Sequence, residues 1–257
     1  METNLNCDLG ETSIHHSAEN DPELMKLINT ANIACGFHAG DEETMKKTVD
    51  LAIKHNVSIG AHPGFADKEN FGRNRIYLSK NEVKKLIYDQ ITILSKISES
   101  KNIKLTHVKP HGALNNMACE DYDLSITIGE AIKEYNQDLI YMVLPLTEME
   151  KAGRKLNLKI SCEIFADRNY DDRGFLISRD KSHALVTDTL IATTNVSKML
   201  NDQSIYCYSG KRIPCNIDSI CVHGDGEKAI DIVQDLKKNL SEEGFKFKPL
   251  NELKKFI

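Results

Sequence analysis

The sequence predicts an α/β barrel in which parallel strands are surrounded by helices. Apolar strand-like runs alternate with helix-like segments along the whole chain of 257 residues, and this alternation favours a parallel sheet. Histidine, lysine or an acid stands at the downstream end of most of these runs. In a barrel, the carboxyl ends of all strands open onto one face. The length also suits one barrel, which typically has about 250 residues.

Seven strand–helix units follow one another along the chain, so we expect seven barrel strands. An open doubly wound sheet is the competing arrangement, but it gathers its site where the strand order reverses. Polar ends on six of the seven runs therefore favour closure. The strand-like runs lie near residues 4–9, 32–37, 57–61, 104–109, 139–144, 159–164 and 219–223.

Helix signals fill the intervals between the strands. Asp41 is a candidate N-cap for a helix that extends to Asn56, and Ser79-Lys80-Asn81-Glu82 is a capping box. Apolar residues at helical spacing mark the remaining helices. These are expected to start near Leu124, to run from Pro145 to about Leu156, and to cover residues 183–200 and 227–240.

One insert interrupts the alternation. Residues 204–217 are typical of a hairpin that turns at Ser209-Gly210-Lys211, and we expect it to lie over the barrel rim. The last segment, residues 245–257, is expected to pack on the outside of the barrel. Because the sequence contains no linker and no internal repeat, residues 1–257 are expected to form a single domain.

Composition narrows the class of protein. A net charge of −5 argues against nucleic acid as a partner. No apolar run approaches the roughly 20 residues that span a bilayer, so no membrane association is expected. The N-terminus lacks the features of a signal peptide. Seven cysteines without such a signal indicate a reducing compartment, and we therefore expect a cytoplasmic protein.

Polar side chains are expected to line the barrel lumen, because side chains alternate along a strand. Asn6 and Asp8 share one face of the first strand, and Lys109 shares a face with His111. For any single residue, a hydrogen-bonded buried polar group is the alternative interpretation. Burying many ionisable groups costs several kcal/mol per group unless they are paired or functional. Together they therefore indicate an active site.

The residue types indicate roles. Lys109, held in a defined direction by Pro110, suits contact with an oxyanion or a phosphate, and histidines suit proton transfer near neutral pH. Carboxylates can orient the histidines or activate water. The predicted catalytic residues are Asp8, His38, His62, Lys109, His111, Glu163, Asp167 and His223. The predicted substrate-binding residues are Asn6, Asp41, Arg73, Arg168 and Asp225.

A divalent metal is an open alternative for the same pocket. Asp8 with His38 and His62 would be reasonable ligands, and so would His223 with Asp225. No His-Glu-x-x-His motif and no Cys-x-x-Cys pair occurs, so neither common zinc signature is present. Among the cysteines, Cys35 and Cys162 are expected to lie closest to the pocket. Neither the Gly-x-x-x-x-Gly-Lys-Ser/Thr phosphate loop nor Gly-x-Gly-x-x-Gly occurs.

Seven motifs, read in order and spacing over nearly the whole chain, resemble the signatures of the lactam-utilisation (LamB/YcsF) family. Seven collinear motifs are a specific signal, whereas one would be weak. The motifs are Asn6-Cys7-Asp8-Leu9-Gly10-Glu11, residues 31–41 (ANIACGFHAGD), Gly60-Ala61-His62-Pro63, Phe71-Gly72-Arg73, residues 108–114 (VKPHGAL), Phe165-Ala166-Asp167-Arg168 and Cys221-Val222-His223-Gly224-Asp225.

The resemblance implies a seven-stranded barrel similar to the deacetylase and glycoside hydrolase barrels. It also implies the role of the A subunit of an ATP-dependent 5-oxoprolinase, which cleaves 5-oxoproline to L-glutamate with hydrolysis of ATP to ADP and phosphate. Subunits B and C are the implied partners. The resemblance also implies ATP as a co-substrate. Because the chain has no recognisable phosphate loop, phosphorylation is expected to be left to these partners.

The sequence departs from the family pattern in two places, and two other functions stay open. Residues 12–16 replace a glycine-rich continuation, and Asn115 stands where the family usually has tyrosine. These changes affect the substrate loops more than the reaction class. The alternatives are a metal-dependent deacetylase-like hydrolase, with stoichiometric metal, and a non-catalytic substrate-binding subunit, which would tolerate replacement of the pocket residues.

Overall fold

Seven parallel strands close into a barrel in the computed structural model, which describes residues 1–14, 16–224, 226 and 228–257. Strands β1–β6 and β9 form the barrel, and β1 pairs with both β2 and β9, which closes the sheet. The predicted fold class is confirmed. The strands are β1 (Glu2–Leu9), β2 (Thr30–Ala34), β3 (Ser58–His62), β4 (His107–Val108), β5 (Ile140–Val143), β6 (Ile160–Phe165), β7 (Ser204–Tyr206), β8 (Arg212–Pro214), β9 (Ser219–His223) and β10 (Lys246–Phe247).

Helices connect the barrel strands and cover the outside of the barrel with their apolar faces. Asp41 caps one of them, accepting a hydrogen bond from the backbone N–H of Thr44 at 2.7 Å, and the capping box between Ser79 and Glu82 is present. Within the described residues the helices are α1 (Asp21–Leu27), α2 (Glu42–Lys54), α3 (Lys80–Glu99), α4 (Gly112–Glu120), α5 (Tyr122–Tyr135), α6 (Glu148–Lys155), α7 (Thr189–Asp202) and α8 (Ala229–Glu242).

The prediction of a helix from residue 183 is wrong at its start, because α7 begins only at Thr189. Asp188 caps that helix through the backbone N–H of Ile191, at 2.9 Å. The residues before the cap are held by the loop after β6, where Val186 donates its N–H to the carbonyl of Asp167 at 2.9 Å. Helices α1 and α4 were not among the expected elements.

A column of hydrogen bonds runs up the lumen through polar side chains that face inward, as the alternation along the strands predicts. The hydroxyl of Ser219 donates to Asn4 Oδ1 at 2.7 Å, and Asn6 Nδ2 donates to Ser219 Oγ at 2.8 Å. Asn32 Nδ2 then donates to Asn6 Oδ1 at 2.8 Å and to Asp8 Oδ1 at 2.7 Å. These side chains therefore satisfy one another's hydrogen bonds along the column, and the column ends at a carboxylate.

Gly60 leaves room in this column for an imidazole. His107 Nε2 lies 2.8 Å from Asn32 Oδ1, and its ring passes over the backbone of β3. A Cβ atom at Gly60 would lie 2.1 Å from His107 Nε2. Only glycine therefore fits at this position of the strand.

The C-terminal segment closes the amino end of the barrel, so the prediction that it packs on the outside is wrong. Strand β10 pairs with the start of β1. Asn4 Nδ2 donates to the carbonyl of Lys248 at 2.8 Å, and the N–H of Leu250 donates to Thr30 Oγ1 at 3.1 Å. The tail therefore supplies partners to lumen groups at the lower end of the column. A small apolar cluster completes this closure with Ile140, Met142, Leu250 and Leu253.

Strands β7 and β8 form an antiparallel hairpin in which Ile205 pairs with Ile213. Gly210 takes a φ of +90° at its turn, a conformation that favours glycine. The N–H of Tyr208 donates to the carbonyl of Tyr170 at 2.8 Å, so the hairpin packs against the loop after β6. In the described part of the chain, the helices are too short or too polar to cross a membrane.

Candidate active site

A cavity of about 330 Å³ opens at the carboxyl end of the barrel. This volume lies at the lower end of the range of about 300–1,000 Å³ for ligand sites and suits a small molecule. The charged and titratable side chains that line it come from strand ends and from the loops that follow them. They are Asp8, Glu11, His62, Arg73, Arg75, Lys109, His111, Glu120, Arg168, Arg179 and His223.

Lys109 forms the centre of a buried charge network at the floor of the cavity. Its Nζ lies 2.9 Å from Asp8 Oδ1 and 3.1 Å from Glu163 Oε1. Burial works against the charge of Lys109, but the Asp8 carboxylate outweighs it and holds the pKa of Lys109 well above its ordinary value. Burial also raises the pKa of Glu163, although Lys109 opposes this. An ammonium paired with Asp8 therefore faces the cavity.

Three histidines surround Glu11 on the other side of the cavity. Glu11 Oε1 lies 2.9 Å from His111 Nδ1, 3.0 Å from His38 Nε2 and 3.6 Å from His62 Nε2. The rings of His38 and His111 stack, with centroids 3.8 Å apart. All four side chains are buried. This set combines a carboxylate and imidazoles, which are the usual protein ligands of transition metals.

Electrostatics differ among the histidines of this cluster. Burial and then the neighbouring His111 lower the pKa of His38 to about 3, so its imidazole is neutral. Burial also disfavours the charge of His62, but the Asp8 carboxylate outweighs it and raises the pKa of His62. His62 Nε2 lies 3.4 Å from Asp8 Oδ2. Positive charge is therefore stabilised between Asp8 and Glu11.

His223 and Asp167 form a separate pair on the opposite wall. His223 Nδ1 lies 2.7 Å from Asp167 Oδ2, and its ring stacks on Phe165 at a centroid distance of 5.1 Å. The neighbouring Arg168 is largely buried. Burial, and then the charge of Arg179, lower the pKa of Arg168 to about 10. A carboxylate-oriented imidazole and two guanidinium groups therefore share this side of the cavity.

The remaining predicted residues are placed differently. Asn6 lies in the lumen below the cavity, 3.5 Å from Lys109 Nζ. Arg73 lies over the ring of Phe71 at the rim. Asp41 is exposed and caps α2, so the structure does not bring it to the cavity wall. Asp225 lies outside the described residues, as does His15 of the divergent loop.

The catalytic candidates predicted from sequence all lie at the carboxyl end of the barrel, but that prediction left out Glu11. The available signal was its place two residues after β1, at the same end as Asp8. Arg179 and Arg75, from loops, were also left out. The expectation that Cys35 and Cys162 lie closest to the pocket is wrong. Cys221 Sγ is 3.1 Å from Lys109 Nζ, and Cys119 lines the cavity.

Comparison with known proteins places this geometry in a family. The model of the LamB/YcsF family matches residues 3–255. The chain is 44% identical over 249 residues to a protein from Clostridium beijerinckii that is named as the A subunit of 5-oxoprolinase, a match that covers 97% of this chain and 98% of the other.

Solved structures agree with the sequence comparison. A lactam utilization protein from Thermus thermophilus superposes with a TM-score of 0.90 at 33% identity, over 96% of this chain and 99% of that one. A peptidoglycan N-acetylglucosamine deacetylase domain from Eubacterium rectale superposes with a TM-score of 0.50 at 9% identity, over 96% of this chain and 87% of that one, and so shares the fold alone. The chain belongs to the LamB/YcsF family.

Proposed function

We propose that this chain is the A subunit of an ATP-dependent 5-oxoprolinase and that its cavity is where the lactam ring of 5-oxoproline is opened to give L-glutamate. The observation that carries the proposal is that one small cavity contains the Lys109–Asp8 pair, the His223–Asp167 pair and several arginines. The 44% identity to a protein named as the A subunit of 5-oxoprolinase supports the substrate.

The arginines fit an anionic substrate. Arg73, Arg168 and Arg179 line the cavity, and a guanidinium group binds a carboxylate or a phosphate through paired hydrogen bonds. 5-Oxoproline carries a carboxylate, and phosphorylation of its lactam oxygen would add a second anion. We assign Arg168 and Arg179 to the substrate carboxylate, because they stand beside His223, where the ring would be opened.

Ring opening requires charge stabilisation at the lactam oxygen and proton transfer at the ring nitrogen. Lys109 lies at the floor of the cavity and would stabilise negative charge that develops on the oxygen or its phosphate. The Nδ1–H of His223 donates to Asp167, so Nε2 is the nitrogen that would exchange protons in the cavity. His223 would take a proton from the attacking water and return it to the nitrogen as the carbon–nitrogen bond breaks.

ATP hydrolysis completes the proposed reaction. A lactam is a stable amide, and transfer of the γ-phosphoryl group of ATP to its oxygen would make the carbon electrophilic. One water would open the ring and a second would release phosphate, leaving ADP, phosphate and glutamate. Since the sequence has no recognisable phosphate loop, we propose that subunits B and C supply the phosphorylation step in the cytoplasm.

Release of glutamate and phosphate from 5-oxoproline and ATP tests this function. The purified chain should be inactive alone and active when mixed with subunits B and C. Phosphate release without glutamate would contradict the assignment of ring opening to this complex. Full turnover by the chain alone would contradict the division of labour.

The cluster around Glu11 favours one alternative, a metal-dependent deacetylase-like hydrolase. That function would release acetate from N-acetylated sugars without ATP and without partners. A panel of such substrates, assayed with added zinc or manganese, distinguishes the two functions. A third possibility, a substrate-binding subunit without catalysis, predicts that replacement of Lys109 or His223 leaves turnover of the complex unchanged.

A further inference from the structure

Two backbone carbonyls determine which nitrogen of His62 and of His111 carries the proton. His62 Nδ1 lies 2.7 Å from the carbonyl oxygen of Lys109, and His111 Nε2 lies 2.9 Å from the carbonyl oxygen of Phe71. A carbonyl oxygen only accepts hydrogen bonds, so each of these nitrogens must donate. In a neutral imidazole, the other nitrogen then carries a lone pair.

When both imidazoles are neutral, the two lone pairs point at each other and at a carboxylate. His62 Nε2 lies 3.0 Å from His111 Nδ1, and Glu11 Oε1 is 3.6 Å and 2.9 Å from these two nitrogens. Three acceptors at such distances repel one another unless a positive centre lies among them. A proton can serve one pair of these atoms, whereas a cation can serve all three.

The spacing matches the donor set of a metal ion. Ligand atoms held about 2.0–2.2 Å from one tetrahedral zinc ion are about 3.3–3.6 Å apart, and those of an octahedral ion of similar size about 3 Å apart. The observed separations run from 2.9 to 3.6 Å. Histidine ligands of metals also usually donate their second N–H to a carbonyl or a carboxylate, as His62 and His111 do here.

His38, the fourth side chain of the cluster, holds the carboxylate of Glu11 in position. Its Nε2 lies 3.0 Å from Glu11 Oε1, while its Nδ1 is buried and has no hydrogen-bond partner among the described residues. As a donor through Nε2, it orients Glu11 and leaves the carboxylate charged. The three ligand side chains also line the cavity, so an ion can enter and keep a position open to a small molecule.

We propose that Glu11, His62 and His111 bind one divalent transition-metal ion, of the class of zinc, cobalt or manganese, with His38 orienting the carboxylate. Imidazole ligands favour these ions over magnesium and calcium, which prefer oxygen ligands. The inference of the binding site depends only on the distances among its ligand atoms. Only the chemical use of the ion, at the wall of the cavity facing Lys109, rests on the proposed function.

Metal titration of the full chain tests the site without any activity assay. After chelator treatment and dialysis, the protein should take up one equivalent of zinc, measured by calorimetry and by elemental analysis. Glu11→Gln retains shape but loses charge, and it should weaken zinc binding at least about 10²-fold. His62→Asn should do the same. His223→Asn, which removes another histidine of the same cavity, should leave the stoichiometry and affinity unchanged.

X-ray absorption of the zinc-loaded protein gives an independent reading of the ligands. We expect nitrogen and oxygen neighbours with imidazole scattering, and no sulfur at about 2.3 Å. Sulfur in the shell would assign the metal to Cys221 or Cys119 and overturn the proposal. Uptake well below one equivalent, or equal affinity in wild type and the folded Glu11→Gln variant, would show that a proton alone occupies the cluster. In either case 5-oxoprolinase activity of the complex would still be testable.

Discussion

The ammonium of Lys109 lies 2.9 Å from Asp8 Oδ1, and both side chains are buried at the point where the lumen opens into the cavity. The two residues are brought together from β1 and from the end of β4, which do not pair with each other in the sheet. Breaking a buried pair on one side leaves the other charge unpaired, at a cost of about 3–5 kcal/mol. This relationship therefore couples stability to the proposed chemistry.

The Lys109–Asp8 pair predicts different outcomes for single and double variants. Lys109→Met should lower the melting temperature and reduce turnover of the reconstituted complex by about 10²–10³-fold. The double variant Lys109→Met/Asp8→Asn also removes the carboxylate charge that the single variant leaves unpaired at Asp8, whereas Glu163 still lacks its cation. It should therefore recover part of the lost stability without recovering turnover. Thermal unfolding and glutamate release measure the two effects. Near-wild-type turnover by a folded Lys109→Met that binds its partners would make this chain a scaffold.

The His223–Asp167 pair predicts a loss of proton transfer. Asp167→Asn keeps the size of the side chain but removes the charge that orients the Nδ1–H of His223, at 2.7 Å. We expect kcat of the complex to fall by about 10²–10⁴-fold, the usual contribution of acid–base catalysis, with little change in KM. Asp172→Asn, in the same loop but bonded to Ser209 of the hairpin, is the matched control. An equal effect of both variants would indicate loop disruption in place of proton transfer.

Gly60 predicts a steric effect with a specific rescue. In Gly60→Ala, the new methyl group would lie 2.1 Å from His107 Nε2, so the ring must move and break its bond to Asn32. We expect a loss of at least about 1–3 kcal/mol in the free energy of unfolding. Adding His107→Ala removes the obstructing ring, and the double variant should be more stable than Gly60→Ala alone. Denaturant unfolding of the wild type, of each single variant and of the double variant measures the effect, and additive losses would count against the clash.

Asp21 predicts a pH dependence of stability. Its Oδ2 accepts a hydrogen bond from the N–H of Gly10 at 2.7 Å, but burial raises the pKa of Asp21 from 3.8 to about 7. A carboxyl whose pKa is raised by folding favours the folded state below pH 4. That contribution is lost as the pH rises through about 7.

The variant Asp21→Asn isolates this contribution. The amide oxygen can still accept from Gly10, and the amide does not titrate. Relative to Asp21→Asn, the wild type should therefore lose about 2–4 kcal/mol of unfolding free energy between pH 4 and pH 8. Denaturant unfolding at a series of pH values measures the difference. A constant difference across this range would mean that Asp21 keeps an ordinary pKa.

Local patterns in the sequence determined the barrel and much of its site. Alternation along β1 places Asn6 and Asp8 on one face whatever the rest of the chain does, because successive side chains of a strand point to opposite sides. The caps at Asp41 and Ser79 likewise depend only on residues three positions away. For the same reason the positions of the barrel strands and the lysine and histidines at their ends could be predicted.

Tertiary structure alone decided which of these groups meet. Glu11 contacts His38 and His111, which are 27 and 100 residues away in sequence. Which ring nitrogen of His62 and of His111 carries the proton depends on backbone carbonyls of distant loops. The tail reaches the lumen at Thr30, 220 residues away. Such contacts depend on strand order, register and closure of the barrel. These are properties of the whole sheet, and no local spacing encodes them.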